Sequence, residues 1–175
     1  VTGAAGFLGW NLVDFLLLHD FFVEAVVRPG SPNNERLLSH SCLHIVPLAM
    51  EEIVHLPEHV TEPCDFAVDL AWDPRRTDFA AQRASLSSTL DLMEALGVVG
   101  CQRFLGIGSQ AEYGATDEVM DEAMTVQPVT PYGAAKVAAL HLTRLRAHQL
   151  GIDWVWGRVF SVYGPYEPES TDRKS

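Results

Sequence analysis

The chain opens "VTGAAGFLGWNLVDFLLLHD", and its glycines at positions 3, 6 and 9 constrain the fold more than any other feature. A glycine triplet at this spacing is informative when it joins a strand to a helix. Val1 and Thr2 read as the end of a strand, and Leu12, Val13, Leu16 and Leu17 follow at helical spacing. The first glycine then permits a tight turn, and the second lets backbone approach a pyrophosphate. The third lets the helix pack closely on the sheet. The helix start also offers unpaired N–H groups and partial positive charge to a phosphate. Gly3, Gly6 and Gly9, with Phe7 and Leu8 between them, are therefore expected to hold a dinucleotide. A plain glycine-rich turn is the alternative.

The rest of the chain alternates between the two periodicities. "FVEAVVRPG" reads as a β-branched strand ended by Pro29 and Gly30, and "CLHIVPLAM" and "CDFAVDLAW" read as further strands. "SLSSTLDLMEALGVVG" reads as a helix with Leu86, Leu90, Met93 and Leu96 on its apolar side, followed by the strand "CQRFLGIGS". "YGAAKVAALHLTRLRAHQLG" reads as a helix closed by Gly151, with Arg144, Arg146 and His148 favourably placed against its dipole. "IDWVWGRVFSVYG" is a last strand and its exit. Such alternation predicts βα units and a mostly parallel sheet, with ligands at the carboxyl ends of the strands. "GAAGFLG", "RPGS", "DLAWDP" and "GSQAEYG" each follow a strand, so the candidate chemistry belongs there.

Composition excludes several classes. A length of 175 residues suits one domain with a substantial core, and 12 basic against 23 acidic residues leave a net charge of −11. That balance repels a nucleic-acid backbone. Cys42, Cys64 and Cys101 are odd in number and widely spaced, which predicts free buried thiols in a reducing cytoplasm. "HSCLH" carries His40, Cys42 and His44, but no second ligand cluster accompanies it, so no metal is expected. No apolar run approaches the length of a membrane span, and no signal peptide is read.

Three further stretches carry chemistry. Arg28 follows the strand "FVEAVV", where a carboxylate would bind ribose hydroxyls; an arginine suits a 2′-phosphate and favours NADP(H) over NAD(H). A solvated strand-end cation is the alternative. Ser109 follows "FLGIG" at the cleft side of the sheet, where a hydroxyl can both donate to and accept from a substrate oxygen. Tyr132 and Lys136 in "YGAAK" stand four apart and so project from one helix face. A phenol beside an ammonium is a proton-transfer pair, against the bland reading of a helix surface.

The glycine triplet, Leu70-Ala71, Ser109 with "EYG", Tyr132-x-x-x-Lys136 and "RVFSVYGP" occur in one order. In this the chain resembles the extended short-chain dehydrogenase/reductases, the NAD-dependent epimerase/dehydratase family acting on nucleotide sugars, over about residues 1–166. The resemblance implies an α/β, Rossmann-like, doubly wound parallel sheet. It implies Tyr132 as catalytic acid/base, Lys136 as the group that holds the nicotinamide ribose and favours the phenolate, and Ser109 as hydrogen-bond partner of the reacting sugar oxygen. Leu70-Ala71 would pass beside the cofactor, Ser85 would take the place of a helix asparagine, and Phe160 would lie near the nicotinamide.

Some positions depart from the family pattern. Gln110 and Ala111 replace the acidic pair of the dTDP-glucose 4,6-dehydratases, which disfavours dehydration. Ser161 stands for the asparagine before "VYGP", and the acidic residue that usually follows the third strand to meet an adenine is not read at "PLAM". "GSQAEYG" and "RVFSVYGP" resemble the branch of CDP-abequose synthase-like 4-ketoreductases and CDP-sugar epimerases. The expectation is an NAD(P)-binding domain over 1–166, with the first strand truncated. A polar tail at 167–175 would start a substrate lobe that is otherwise missing. The expected function is a cytoplasmic nucleotide-sugar epimerase or 4-ketoreductase using NAD(P), assembled as a homodimer, with a nucleotide sugar as partner and neither nucleic acid nor membrane. A catalytically silent dinucleotide-binding regulatory module is the alternative.

Overall fold

A computed structural model describes residues 1–167, so most of the 167–175 tail lies outside the described residues. Helix α1 (Phe7–Leu18) follows the glycine turn directly and buries Gly9, Val13 and Leu16. Strand β1 (Val23–Val27) pairs in parallel with β2 (Leu43–Pro47). Strand β3 (Phe66–Asp69) pairs in parallel with β4 (Arg103–Ser109), and β4 with β5 (Asp153–Val159).

The two ribbons meet at one residue. Thr2 bridges in parallel to Val26 on one side and to Asp69 on the other. Its N–H donates to Val68 O at 3.0 Å, and Val26 N–H donates to Val1 O at 2.9 Å. With Val1–Thr2 counted as a short first strand, the spatial order β2-β1-Thr2-β3-β4-β5 is the order of a doubly wound sheet. The order reverses between Thr2 and β3, which is where such sheets open a ligand crevice. The expected Rossmann-like α/β fold is the fold observed.

Helix α2 (Phe79–Val98) begins six residues before the apolar stretch that announced it. The reason is Asp78, whose carboxylate accepts from Ala80 and Ala81 N–H and so caps the helix earlier. Its core face is Leu92, Met93, Ala95 and Leu96, while Leu86 and Leu90 are half-buried. Three-ten turns over Met50–Glu58, not foreseen from the sequence, bury Ile53 and Leu56 in the same cluster as α2.

Helix α3 (Pro131–Leu150) is capped by Thr130, whose hydroxyl accepts from Gly133 N–H at 3.1 Å, and it ends at Gly151 with φ 71°. It buries Gly133, Lys136, Ala139, Leu140, Thr143 and Ala147, a stripe of three- and four-residue steps. Lys136 falls on that stripe and is carried into the core with it.

The cysteine expectation needs correcting. All three thiols are free, but Cys101 alone is buried, and Cys42 and Cys64 are half-buried. Cys64 and Cys101 lie with their sulfurs 3.1 Å apart. His40 Nδ1 accepts from Cys42 N–H, and His44 pairs with Glu24, so these histidines have local partners. Among the described residues no helix is long and apolar enough to cross a membrane, and no three His, Cys, Asp or Glu side chains gather as a metal site.

Candidate functional site

The glycine turn is shaped by close approach. Gly3 has φ 61°, and a Cβ there would lie 3.0 Å from Ala71 N. A Cβ on Gly9 would lie 2.1 Å from Gly3 O, so no side chain fits between the turn and α1. Gly6 N–H donates to Gly3 O at 2.9 Å. The backbone is thus kept bare where the first turn of α1 presents its N–H groups.

Thr2 holds the opposite wall. Its hydroxyl donates to Asp69 Oδ1 at 2.5 Å and accepts from Leu70 N–H at 3.1 Å and Ala71 N–H at 3.2 Å. Asp69 accepts a second bond from Thr89 on α2. Sequence reading missed Thr2, Asp69 and Thr89, because each is a polar residue in an apolar pattern whose partner lies far along the chain. Between these walls lies a cleft of about 900 Å³, lined among others by Gly3, Gly6, Phe7, Arg28, Leu70, Ala71 and Ser85. Seven expected residues therefore share one crevice. Ser85 Oγ accepts from Asp73 N–H at 3.1 Å. Arg28 is exposed at the rim, and its carbonyl accepts from Asn34 Nδ2 at 2.9 Å.

Leu8 and Gly9 lie behind the cleft rather than in its lining, and Ser109, Tyr132, Lys136 and Phe160 also lie outside it. Phe160 is about half exposed just beyond β5. A separate apolar cleft of about 520 Å³ lies among Phe22, Glu24, Cys64 and Phe66 and contains none of the expected site residues.

The second group gathers around the start of α3. Lys136 is 5% exposed, and its ammonium donates to Ile107 O on β4 at 2.6 Å. Burial pushes the ammonium down to about 8, against the opposing pull of Asp69 and Glu112. Tyr132 stands one turn earlier, half-buried, and its N–H donates to Arg76 O at 3.1 Å. Gly133 lets this helix start close on the turn after β4: a Cβ there would lie 2.3 Å from Ala111 O. Ser109, two residues beyond Ile107, belongs to that turn.

Ser109 is buried, and its hydroxyl accepts from Ala111 N–H at 3.2 Å. Its own N–H donates to Glu112 Oε1 at 2.8 Å, which completes a capping box. Glu112 is fully buried and also accepts from Trp156 Nε1 and from Arg158 Nε at 2.7 Å. Arg158 in turn donates to the Tyr113 hydroxyl. The Ser-x-x-Glu spacing could have announced Glu112 as a cap, but nothing in the sequence ties it to Arg158.

Trp72 was also missed. The indole lines the 900 Å³ cleft, lies 3.7 Å from the Lys136 ammonium, and meets the Tyr132 ring edge-on at 6.3 Å between centroids. It joins the two groups of residues.

Comparison with known proteins agrees with this architecture. The whole of residues 1–175 matches the model of the NAD dependent epimerase/dehydratase family. The chain is 27% identical over 180 residues to an uncharacterized UDP-glucose epimerase of Bacillus subtilis, covering 94% of this chain and 56% of that protein. It is 29% identical over 198 residues to a dTDP-glucose 4,6-dehydratase of Streptomyces niveus, covering 95% and 54%. UDP-glucuronic acid 4-epimerase from Bacillus cereus, solved in complex with NAD, superposes with a TM-score of 0.81 at 26% identity, over 95% of this chain and 57% of that one. The chain thus spans about half the length of the curated relatives it matches. A doubly wound sheet, a bare glycine turn at its switch point and a match along the full sequence converge: the chain belongs to the NAD dependent epimerase/dehydratase family.

Proposed function

We propose that this chain is the dinucleotide-binding part of an NAD(P)-dependent nucleotide-sugar epimerase or 4-ketoreductase, with hydride transfer at the sugar C4. The observation that carries the reading is the placing of Lys136. Its ammonium is held against β4 one helical turn below Tyr132, and Ser109 ends the same strand. The turn at Gly3, Gly6 and Gly9 carries no side chains, as a pyrophosphate needs for close approach, and added Cβ atoms would crowd Gly3 O or the Leu70–Ala71 backbone. A nicotinamide bound here would supply the hydride acceptor and donor.

In this reading Tyr132 moves the proton of the sugar hydroxyl. The Lys136 ammonium holds a ribose hydroxyl. Ser109 keeps the reacting oxygen in place through the proton its hydroxyl has left to donate. Gln110 and Ala111 offer no carboxylate for water elimination, which argues against dehydration. Arg28 at the cleft rim favours a 2′-phosphate, although the Bacillus cereus epimerase holds NAD, so the NADP(H) preference rests on Arg28 alone.

The test is Tyr132→Phe assayed with UDP-glucose and UDP-glucuronic acid, alongside cofactor titrations. Turnover is expected to fall by about 10²–10⁴ with dinucleotide affinity retained. A fully active Tyr132→Phe overturns the acid/base role. In the same titrations Arg28→Ala should weaken NADP(H) and leave NAD(H) unchanged; equal affinities before and after overturn the preference.

A further inference from the structure

Lys136 and Tyr132 are not among the residues that line the cleft. Trp72 borders both groups: its indole lines the cleft, and the Lys136 ammonium lies 3.7 Å from its ring centroid. The ring is fixed by its own hydrogen bond, since Nε1 donates to Gln82 Oε1 at 2.7 Å. Gln82 is 2% exposed, and its amide donates to Asp73 O at 3.2 Å and Arg75 O at 3.0 Å. The loop after Trp72 is thereby tied to the first turns of α2. The same loop returns to Tyr132, where the Arg76 guanidinium lies 4.7 Å from the phenol ring centroid. Lys136, Trp72, Tyr132 and Arg76 therefore follow one another as cation, ring, ring and cation, with the two rings edge-on.

We propose that Trp72 is a positioning residue for the Tyr132–Lys136 pair: its indole, locked by Gln82, holds the ammonium against Ile107 O and sets the Tyr132 ring edge-on. The proposal rests on the reading that these two side chains serve a bound dinucleotide and sugar. A cation over an indole face is attracted by the ring's quadrupole, most strongly where water is excluded. Three donors sit on the ammonium, and Ile107 O takes one of them. The π face restrains the head without accepting a conventional hydrogen bond, so a donor remains for a ligand.

The charged groups around Lys136 come from several elements. Asp69 on β3 and Glu112 after β4 pull toward the charged form. Arg158 on β5 is paired with Glu112, and Arg76 faces Tyr132 from the loop. Trp72 is the neutral member of this shell, so replacing it changes the ammonium's surroundings without adding or removing a charge.

The test is the affinity of this chain for NADPH and NADH from about pH 6 to about pH 10, across the range where a buried lysine titrates. Lys136→Met, Trp72→Leu and Trp72→Phe are compared with wild type. Leucine keeps an apolar cover but has no π electrons. Trp72→Leu should therefore weaken binding at neutral pH by about three- to thirty-fold. It should also lower the pH of half-maximal loss by about half a unit or more. Trp72→Phe should restore most of both. Wild-type affinity in Trp72→Leu, or weaker binding with an unmoved midpoint, overturns the proposal. If Lys136→Met itself binds as wild type at every pH, it is the underlying reading of Lys136 that fails. A measurement on the unaltered chain guards against a variant that does not fold. Lys136 and Lys174 are the two lysines of the sequence. With lysine labelled at Cε, the Lys136 methylene protons should show an upfield ring-current shift, and its absence also overturns the proposal.

Discussion

Lys136 is a charge that burial disfavours. Its ammonium lies on the buried stripe of α3, held down to about 8 by burial. In the unfolded chain the same group stays charged up to its ordinary 10.5. A depressed base penalises the folded state while both forms are charged, so the penalty is full below about pH 8 and fades as pH rises toward 10.5. Lys136→Met should accordingly raise stability at neutral pH by about 1–3 kcal/mol, allowing for the lost bond to Ile107 O. The gain should shrink in urea melts repeated near the upper end of that window. A variant less stable than wild type at neutral pH would show that the carbonyl bond outweighs desolvation.

At the scale of elements, the turn that presents Ser109 depends on β5. Glu112 caps the turn through Ser109 N–H and is neutralised by Arg158, whose side chain is 18% exposed. The glycines of β4 make room for this arrangement: a Cβ on Gly108 would lie 2.2 Å from Trp156 Nε1 and 2.3 Å from Glu112 Oε1. Removing one partner of a largely buried pair leaves the other uncompensated, which typically costs about 3–5 kcal/mol. Glu112→Ala should fall in that range by denaturant melts. Glu112→Leu with Arg158→Leu should recover a large part of it, since neither charge is then stranded. If the double variant is as unstable as the sum of its singles, the pair does not act as a unit.

At the scale of the molecule, Thr2 is the joint between the β1–β2 ribbon and the β3–β4–β5 ribbon. Its hydroxyl also gathers Asp69, Leu70 and Ala71 at the switch point. Thr2→Val keeps the shape but leaves Asp69 Oδ1 and two N–H groups without this partner. The expected loss is about 1–3 kcal/mol for a buried acceptor, with weakened dinucleotide binding because the Leu70–Ala71 wall loosens. Thr2→Ser should retain both properties. Equal stability of wild type and Thr2→Val in melts, with unchanged cofactor affinity, would remove Thr2 from this role.

The sequence by itself determined the order of strands and helices, the parallel sheet and the lining of the cleft. Glycine spacing and the two apolar periodicities are local, so Gly3, Gly6 and Arg28 could be placed at strand ends without knowing which strands meet, while Leu70 and Ser85 were legible only through the resemblance to the family. The placing of Tyr132 and Lys136 on one helix face was likewise a local expectation, because four residues make about one helical turn, and in the structure both side chains border Trp72. Burial of Lys136, the Glu112–Arg158 pair and the Thr2–Asp69 bond were decided by tertiary structure. Each joins residues that no short window contains, separated by 29, 46 and 67 positions in the case of Lys136–Ile107, Glu112–Arg158 and Thr2–Asp69. Trp72 shows the same limit most plainly. In the sequence it is one aromatic residue after a strand. It acquires a role because the sheet order sets the end of β3 beside β4, and α3 packs its stripe across them.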